Sequence, residues 1–135
     1  PYERLPVDIC VPAPGQGAIA VTAVDGEIAE ELRERLDEPR SRVETTVERT
    51  VLSTLGGGCV APLGVHANLR GEFVHIVARA LSRDGTEEVR STADLPVAEH
   101  PSAARSFAEK MADNGAAKLV AAARVQDDKE REAPR

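Results

Sequence analysis

The chain has 135 residues, enough for one domain of ordinary size, and its 41% hydrophobic and 30% charged residues are those of a globular protein. Aromatic residues make up only 2%, so the core must be built from Val, Leu, Ile and Ala, and little flat surface is left for stacking on bases. The net charge of −6, from 23 acidic against 17 basic residues, argues against a nucleic acid or other polyanion held by general attraction.

From the start, Leu5 to Ile9 alternates like a short strand, and Val11-Pro12-Ala13-Pro14-Gly15-Gln16-Gly17 breaks it as a rigid connector. Ala18 to Val21 reads as a buried strand. Asp25-Gly26 then turns the chain into a helix over Glu27–Leu36, with Ile28, Leu32 and Leu36 on one face and Glu27, Glu30, Glu31 and Glu34 on a solvated one. A second helix follows Glu38-Pro39-Arg40. Ser41 is its expected N-cap, with Glu44 completing a capping box. Val43, Val47, Val51 and Leu55 repeat at four-residue spacing, and Gly56-Gly57-Gly58 supplies a left-handed stop.

Three strands are predicted next. Leu63 to Leu69 and Val74 to Ala80 alternate around an Arg70-Gly71 turn, and Arg83-Asp84-Gly85 leads to a weaker strand over Thr86–Thr92. Helices over Ala103–Ala112 and Ala116–Arg124 flank an Asn114-Gly115 stop, and the charged residues 126–135 read as a disordered tail. Two hairpins in series imply an antiparallel sheet. The fold class is therefore α+β, an αβββα unit over residues 37–125, while 1–36 read as a remnant of domains outside this chain because a lone strand and helix lack sheet partners.

Cys10 and Cys59 form no CxxC pair, no apolar run is long enough to span a bilayer, and no signal peptide opens the chain; a cytoplasmic protein with reduced thiols is the expectation. The acid excess, with lysine only at 110, 118 and 129, suggests a salt-loving source. His66 and His75 fall on strands and could pair across a hairpin, but two histidines without a third ligand do not make a metal site, so none is expected. Cys10 reads as a structural thiol beside the connector.

The segment richest in chemistry is Glu48-Arg49 followed by Leu55-Gly56-Gly57-Gly58-Cys59-Val60-Ala61-Pro62-Leu63-Gly64. A thiol stands after a helix end, on a glycine run that lets bulk approach the backbone, before a proline that stiffens the exit. From the residues alone two readings remain open: an attachment thiol on an exposed loop, or a helix cap followed by a structural cysteine in a small non-enzymatic interaction module. A thiol enzyme acting alone ranks behind both, for want of a sequence-adjacent base or resolving cysteine. The negative end of the preceding helix disfavours a thiolate, which fits a single alkylation better than repeated turnover.

In order and spacing, Glu48, Arg49, Leu55, Gly57, Gly58, Cys59, Pro62, Leu63 and Gly64 resemble the cofactor-attachment region of the porphobilinogen deaminases (hydroxymethylbilane synthases). Pro12-Ala13-Pro14-Gly15-Gln16-Gly17-Ala18 is similar to that family's PAxGQGA segment. Ala61 stands where the family has a β-branched residue, and Thr22 and Val24 stand where it continues with Glu and Arg. The resemblance covers nearly all of this chain and less than half of a family member. It implies the C-terminal part of a three-domain, monomeric transferase of tetrapyrrole biosynthesis. Cys59 would carry a dipyrromethane cofactor, onto which four porphobilinogens are added with loss of ammonia before hydroxymethylbilane is released by hydrolysis. Gly57 and Gly58 would belong to the cofactor loop, and Gln16 and Gly17 would lie near the cofactor cleft. The catalytic Asp and most carboxylate-binding arginines of the family precede the segment matched here. The resemblance therefore places no catalytic residue in this chain, and the chain alone is expected to be inactive.

Overall fold

The computed structural model describes residues 1–58 and 61–132. In order these form α1 (Glu27–Leu36), α2 (Pro39–Thr54), β1 (Leu63–Arg70), β2 (Phe73–Leu81), β3 (Glu88–Pro96), α3 (His100–Met111) and α4 (Ala117–Glu132). The strands form one antiparallel sheet in the order β1-β2-β3. This is the α+β fold with a three-stranded antiparallel sheet that the hairpins imply.

One face of the sheet carries the core. Leu63, Val65 and Ala67 of β1 and Val74, Ile76, Ala78 and Ala80 of β2 are buried against the helices. α2 presents Val47, Val51 and, at its cap, Leu55 to this face, so its four-residue spacing is the stripe that packs. α3 buries Ala104, Phe107, Ala108 and Met111, and the next helical stretch buries Ala116, Leu119, Val120 and Ala123. Both sets follow i, i+3, i+4, i+7. Between them Gly115 takes φ 107°, which lets the chain change direction inside a π-helical segment over Ala112–Ala116.

Several sequence expectations are corrected. Leu5–Ile9 and Ala18–Val21 are not strands, and Ile19 is 92% exposed. An apolar run becomes a strand only when another strand completes its hydrogen bonds, and none of the described strands pairs with it. α1 forms over its predicted range but buries no residue. The N-cap of α2 is Glu38 and not Ser41: Pro39 takes the first helical position, where its missing N–H costs nothing, and the Glu38 carboxylate accepts from Arg40 N and Ser41 N. Hydrogen bonding from Ser41, its side chain first, holds the Glu38 carboxyl below its ordinary pKa. β3 begins two residues late and runs on to Pro96, because the nine-residue β2 pairs along its whole length and Leu95 is buried against the core. α4 continues through Glu132 into the segment expected to be disordered. Extending an existing helix costs one residue per added hydrogen bond, and residues 125–132 include good helix formers. Residues 133–135 lie outside the described residues.

Candidate functional site

The glycine run is closed as a helix-terminating motif. Gly56 has φ 66°, Gly56 N donates to Ser53 O at 3.1 Å and Gly57 N donates to Leu52 O at 2.9 Å, the paired bonds of a Schellman cap. Leu52 folds back on this turn, so a Cβ at Gly57 would stand 2.5 Å from Leu52 Cδ1 and 3.2 Å from Leu52 O. Gly58 is different: a Cβ there would meet nothing within 4 Å. The backbone is thus packed at Gly57 and open at Gly58. Ala61 N donates to Gly58 O at 3.1 Å, so the two ends of the loop meet. Cys59 itself, with Val60, lies outside the described residues. Arg124 of α4 reaches in from the far end of the chain and donates to Gly56 O at 2.7 Å.

The second feature is the free edge of β1. An edge strand exposes a row of unpaired amides, and here three of them are covered. Val65 N donates to Pro12 O at 2.9 Å, Ala67 N to Glu48 Oε1 at 2.8 Å, and Leu69 N to Glu44 Oε1 at 2.8 Å. Glu44 therefore serves the sheet instead of capping its own helix. Glu48 is the one buried charged side chain among the described residues, and its Oε2 also accepts from Gly15 N at 2.7 Å. One carboxylate thereby joins α2, the sheet edge and the proline-rich connector. Arg49, the next residue, is exposed.

The connector lies across the end of the sheet that bears the glycine loop. Arg79 Nη1 donates to Ile9 O at 3.0 Å, and Ile9, Cys10, Val11 and Ala13 line a cleft of about 310 Å³ with Ala61, Pro62 and Leu63. Cys10 is exposed there, not buried as a structural thiol. At Gly64 the fit leaves no room, since a Cβ would stand 2.5 Å from Val11 O and 3.1 Å from Val11 C. These are backbone atoms and cannot rotate away. Gly64→Ala is expected to lift the connector off β1, increasing hydrogen exchange at Val65 by at least about tenfold while Ile76 keeps its protection. Unchanged exchange at Val65 would show that the connector shifts to fit.

Gln16 and Gly17 do not reach this cleft. Gln16 Oε1 accepts from Ala13 N at 3.0 Å and Gln16 N donates to Ala13 O at 3.0 Å, so the glutamine closes the connector turn on itself. Gly17 takes φ 87° with open space around it. His66 and His75 are not cross-strand partners. His66 opposes Val77 and sits 3.8 Å from Glu48 Oε1, while His75 opposes Asp94 across β3 and pairs with it at 2.8 Å. Among the described residues no three His, Cys, Asp or Glu side chains converge as metal ligands, and no helix is long and apolar enough to cross a membrane.

Residues 43–113, from α2 through the sheet and α3, match the family model described as porphobilinogen deaminase, C-terminal domain. The chain belongs to the porphobilinogen deaminase family. It is 43% identical to a probable porphobilinogen deaminase of Halobacterium salinarum over 92% of this chain and 32% of the relative. It is 37% identical to a probable porphobilinogen deaminase of Methanocella arvoryzae, over 94% of this chain and 42% of that protein. A porphobilinogen deaminase of Campylobacter fetus is 36% identical over 82% of this chain and 36% of its own length. The chain thus spans about a third to two fifths of these curated relatives. The matched region holds both the Schellman-closed loop and the Glu48 clamp. Periodicity does not single out Glu48, and Arg124 lies beyond the matched region; neither partnership is visible until the chain is folded.

Proposed function

We propose that this chain is the cofactor-bearing C-terminal part of a hydroxymethylbilane synthase, with Cys59 as the thiol that holds a dipyrromethane cofactor by a thioether. The observation that carries the reading is the shape of the loop on either side of Cys59. It is fastened by Gly56, Gly57 and Arg124 and packed on Leu52, while at Gly58 a Cβ would meet nothing within 4 Å. Bound there, dipyrromethane supplies the pyrrole end to which porphobilinogen units are added.

What the chain's own residues do is hold and orient. Gly57 and Gly58 place no Cβ at the two positions before Cys59, and Pro62 and Leu63 lead from the loop into β1. Gln16 and Gly17 belong to the crossing segment that would face the cofactor cleft of the complete enzyme. Residues 1–36 act with the preceding domains, and 37–125 form the attachment unit. Porphobilinogen and its oligomers are rich in carboxylates and call for arginine forks, whereas this chain is net acidic at −6. Substrate binding and catalysis therefore fall to the part of the enzyme that the chain does not cover, and the 135-residue chain alone is inactive. The complete enzyme works as a cytoplasmic monomer on a small-molecule substrate, with no nucleic-acid or membrane partner.

The test is to produce the chain joined to the missing portion of a relative, with porphobilinogen present, and to weigh the Cys59 peptide. Two linked pyrrole units on Cys59 are expected, with a colour reaction to Ehrlich's reagent after acid treatment. Pyrroles on Cys10, or an unmodified Cys59 in an active enzyme, would end this reading.

A further inference from the structure

The two edges of the sheet differ. β1 has its outward amides covered by Pro12, Glu48 and Glu44, whereas β3 has no such cover. The N–H groups of Val65, Ala67 and Leu69 point away from the sheet, so antiparallel alternation turns the even-numbered residues of β2 toward β3. Val97 N, which donates to Glu72 O, follows the same alternation. With Ile76 opposite Ala93, the odd-numbered residues of β3 bond β2, and the main-chain groups of Glu88, Arg90, Thr92 and Asp94 face the open edge. Among the described residues no hydrogen bond from outside the ladder reaches them. Their side chains are exposed. Arg90 makes no ion pair among the described residues, and the Asp94 side chain stays 65% exposed while it holds His75 at 2.8 Å.

The charges on this edge are self-complementary. If a second β3 lies antiparallel with Thr92 opposite Thr92, Arg90 opposes Asp94 on both sides of the two-fold axis. On the core side the same register sets Val89 against Leu95. Sliding by two residues one way puts Glu88 against Asp94, a like-charge pair. Sliding the other way brings Pro96, which has no N–H to give, opposite Arg90. A charged edge of this kind rejects most strands and fits one register.

We propose that β3 is a self-association edge, at which a second copy of this chain adds its own β3 and joins two three-stranded sheets into one of six. Contact along one strand buries less than a standard interface, so the association is transient, with a Kd on the order of 100 μM. Dilute enzyme remains the monomer proposed above, and the pairing appears as concentration rises.

The test uses the 135-residue chain. Analytical ultracentrifugation covers roughly 10 μM to 1 mM at about 0.15 M salt and neutral pH, with folding followed by circular dichroism. The parent is expected to pass from mostly monomer to mostly dimer. Arg90→Asp and Asp94→Arg each set like charges against one another and are expected to weaken association at least about tenfold. Mixed in equal amounts, the two variants again oppose unlike charges at every pair, and association is expected to return to within about threefold of the parent. In the unmodified chain, hydrogen exchange at Thr92 is expected to slow at least about threefold over the same concentration range. A parent that stays monomeric, single variants that associate as the parent does, or a mixture no stronger than its components would each overturn the proposal. If either variant fails to fold, unchanged exchange at Thr92 in the parent overturns it equally.

Discussion

A complete enzyme carrying Cys59→Ser is expected to fold with the parent's melting temperature, to carry no covalent pyrrole, and to lose hydroxymethylbilane formation by at least roughly a thousandfold. The described fastenings of the loop are Gly56 N to Ser53 O, Gly57 N to Leu52 O, Ala61 N to Gly58 O and Arg124 to Gly56 O, and none of them uses the thiol. The change is therefore expected to remove chemistry and leave these fastenings in place. A serine hydroxyl at neutral pH is a far weaker nucleophile than a thiol, and no base is sequence-adjacent to activate it. Oxidation of the product to uroporphyrin and its absorbance would report turnover, and intact mass would report the cofactor. Full activity in the serine variant would remove the attachment role from Cys59. A large drop in melting temperature would instead make the cysteine structural.

Glu48→Ala is expected to lower the stability of the chain by about 3 kcal/mol, with a fall in melting temperature of roughly 10 °C or more. The side chain is buried and accepts two backbone amides, Gly15 N at 2.7 Å and Ala67 N at 2.8 Å. Alanine leaves both donors without a partner, and the Ala67 amide lies in the buried edge of the sheet, where an unmet donor costs about 1–3 kcal/mol. Glu48→Gln keeps an acceptor for one amide and should lose less than half as much. Arg49→Ala, one position on but exposed, should change stability by less than about 0.5 kcal/mol. Chemical denaturation of the three variants decides the matter. Equal stability of Glu48→Ala and the parent would show that water replaces the carboxylate and that the connector is not clamped. Because Gly15 lies in the connector, the alanine variant should also increase hydrogen exchange at Val65, whose amide depends on Pro12 O.

Much of the fold is legible in the sequence because it is governed by local chemistry. The spacing of Val47, Val51 and Leu55 marks the buried stripe of α2, and the same residues are in the core. Gly71 and Gly85 mark the hairpin turns and take φ 60° and 72°, where other residues are strained. Gly56 marks the helix stop for the same reason. The misreadings share a different cause. Ala18–Val21 has the composition of a strand, but a strand is a pairing, and its partner cannot be read from the segment. Ser41 and Glu44 have the spacing of a capping box, but Pro39 starts the helix earlier and Leu69 N recruits Glu44 to the sheet edge. β3 takes its length from β2, which its own weak pattern could not announce.

By itself the sequence determined the α+β order of elements, the helix–glycine–thiol motif and, through that motif, the resemblance to the porphobilinogen deaminases. Each is encoded in residues near one another along the chain, where periodicity and backbone preference act. Only the tertiary structure decided what surrounds the thiol loop: the clamp of Glu48 on Gly15, the seating of Val11 against Gly64, and the reach of Arg124 to Gly56. The Glu48–Gly15 and Arg124–Gly56 partners lie 33 and 68 residues apart. Contacts at that range leave no repeating signature in the chain, because they arise from the packing of α2, α4 and the connector around one end of the sheet.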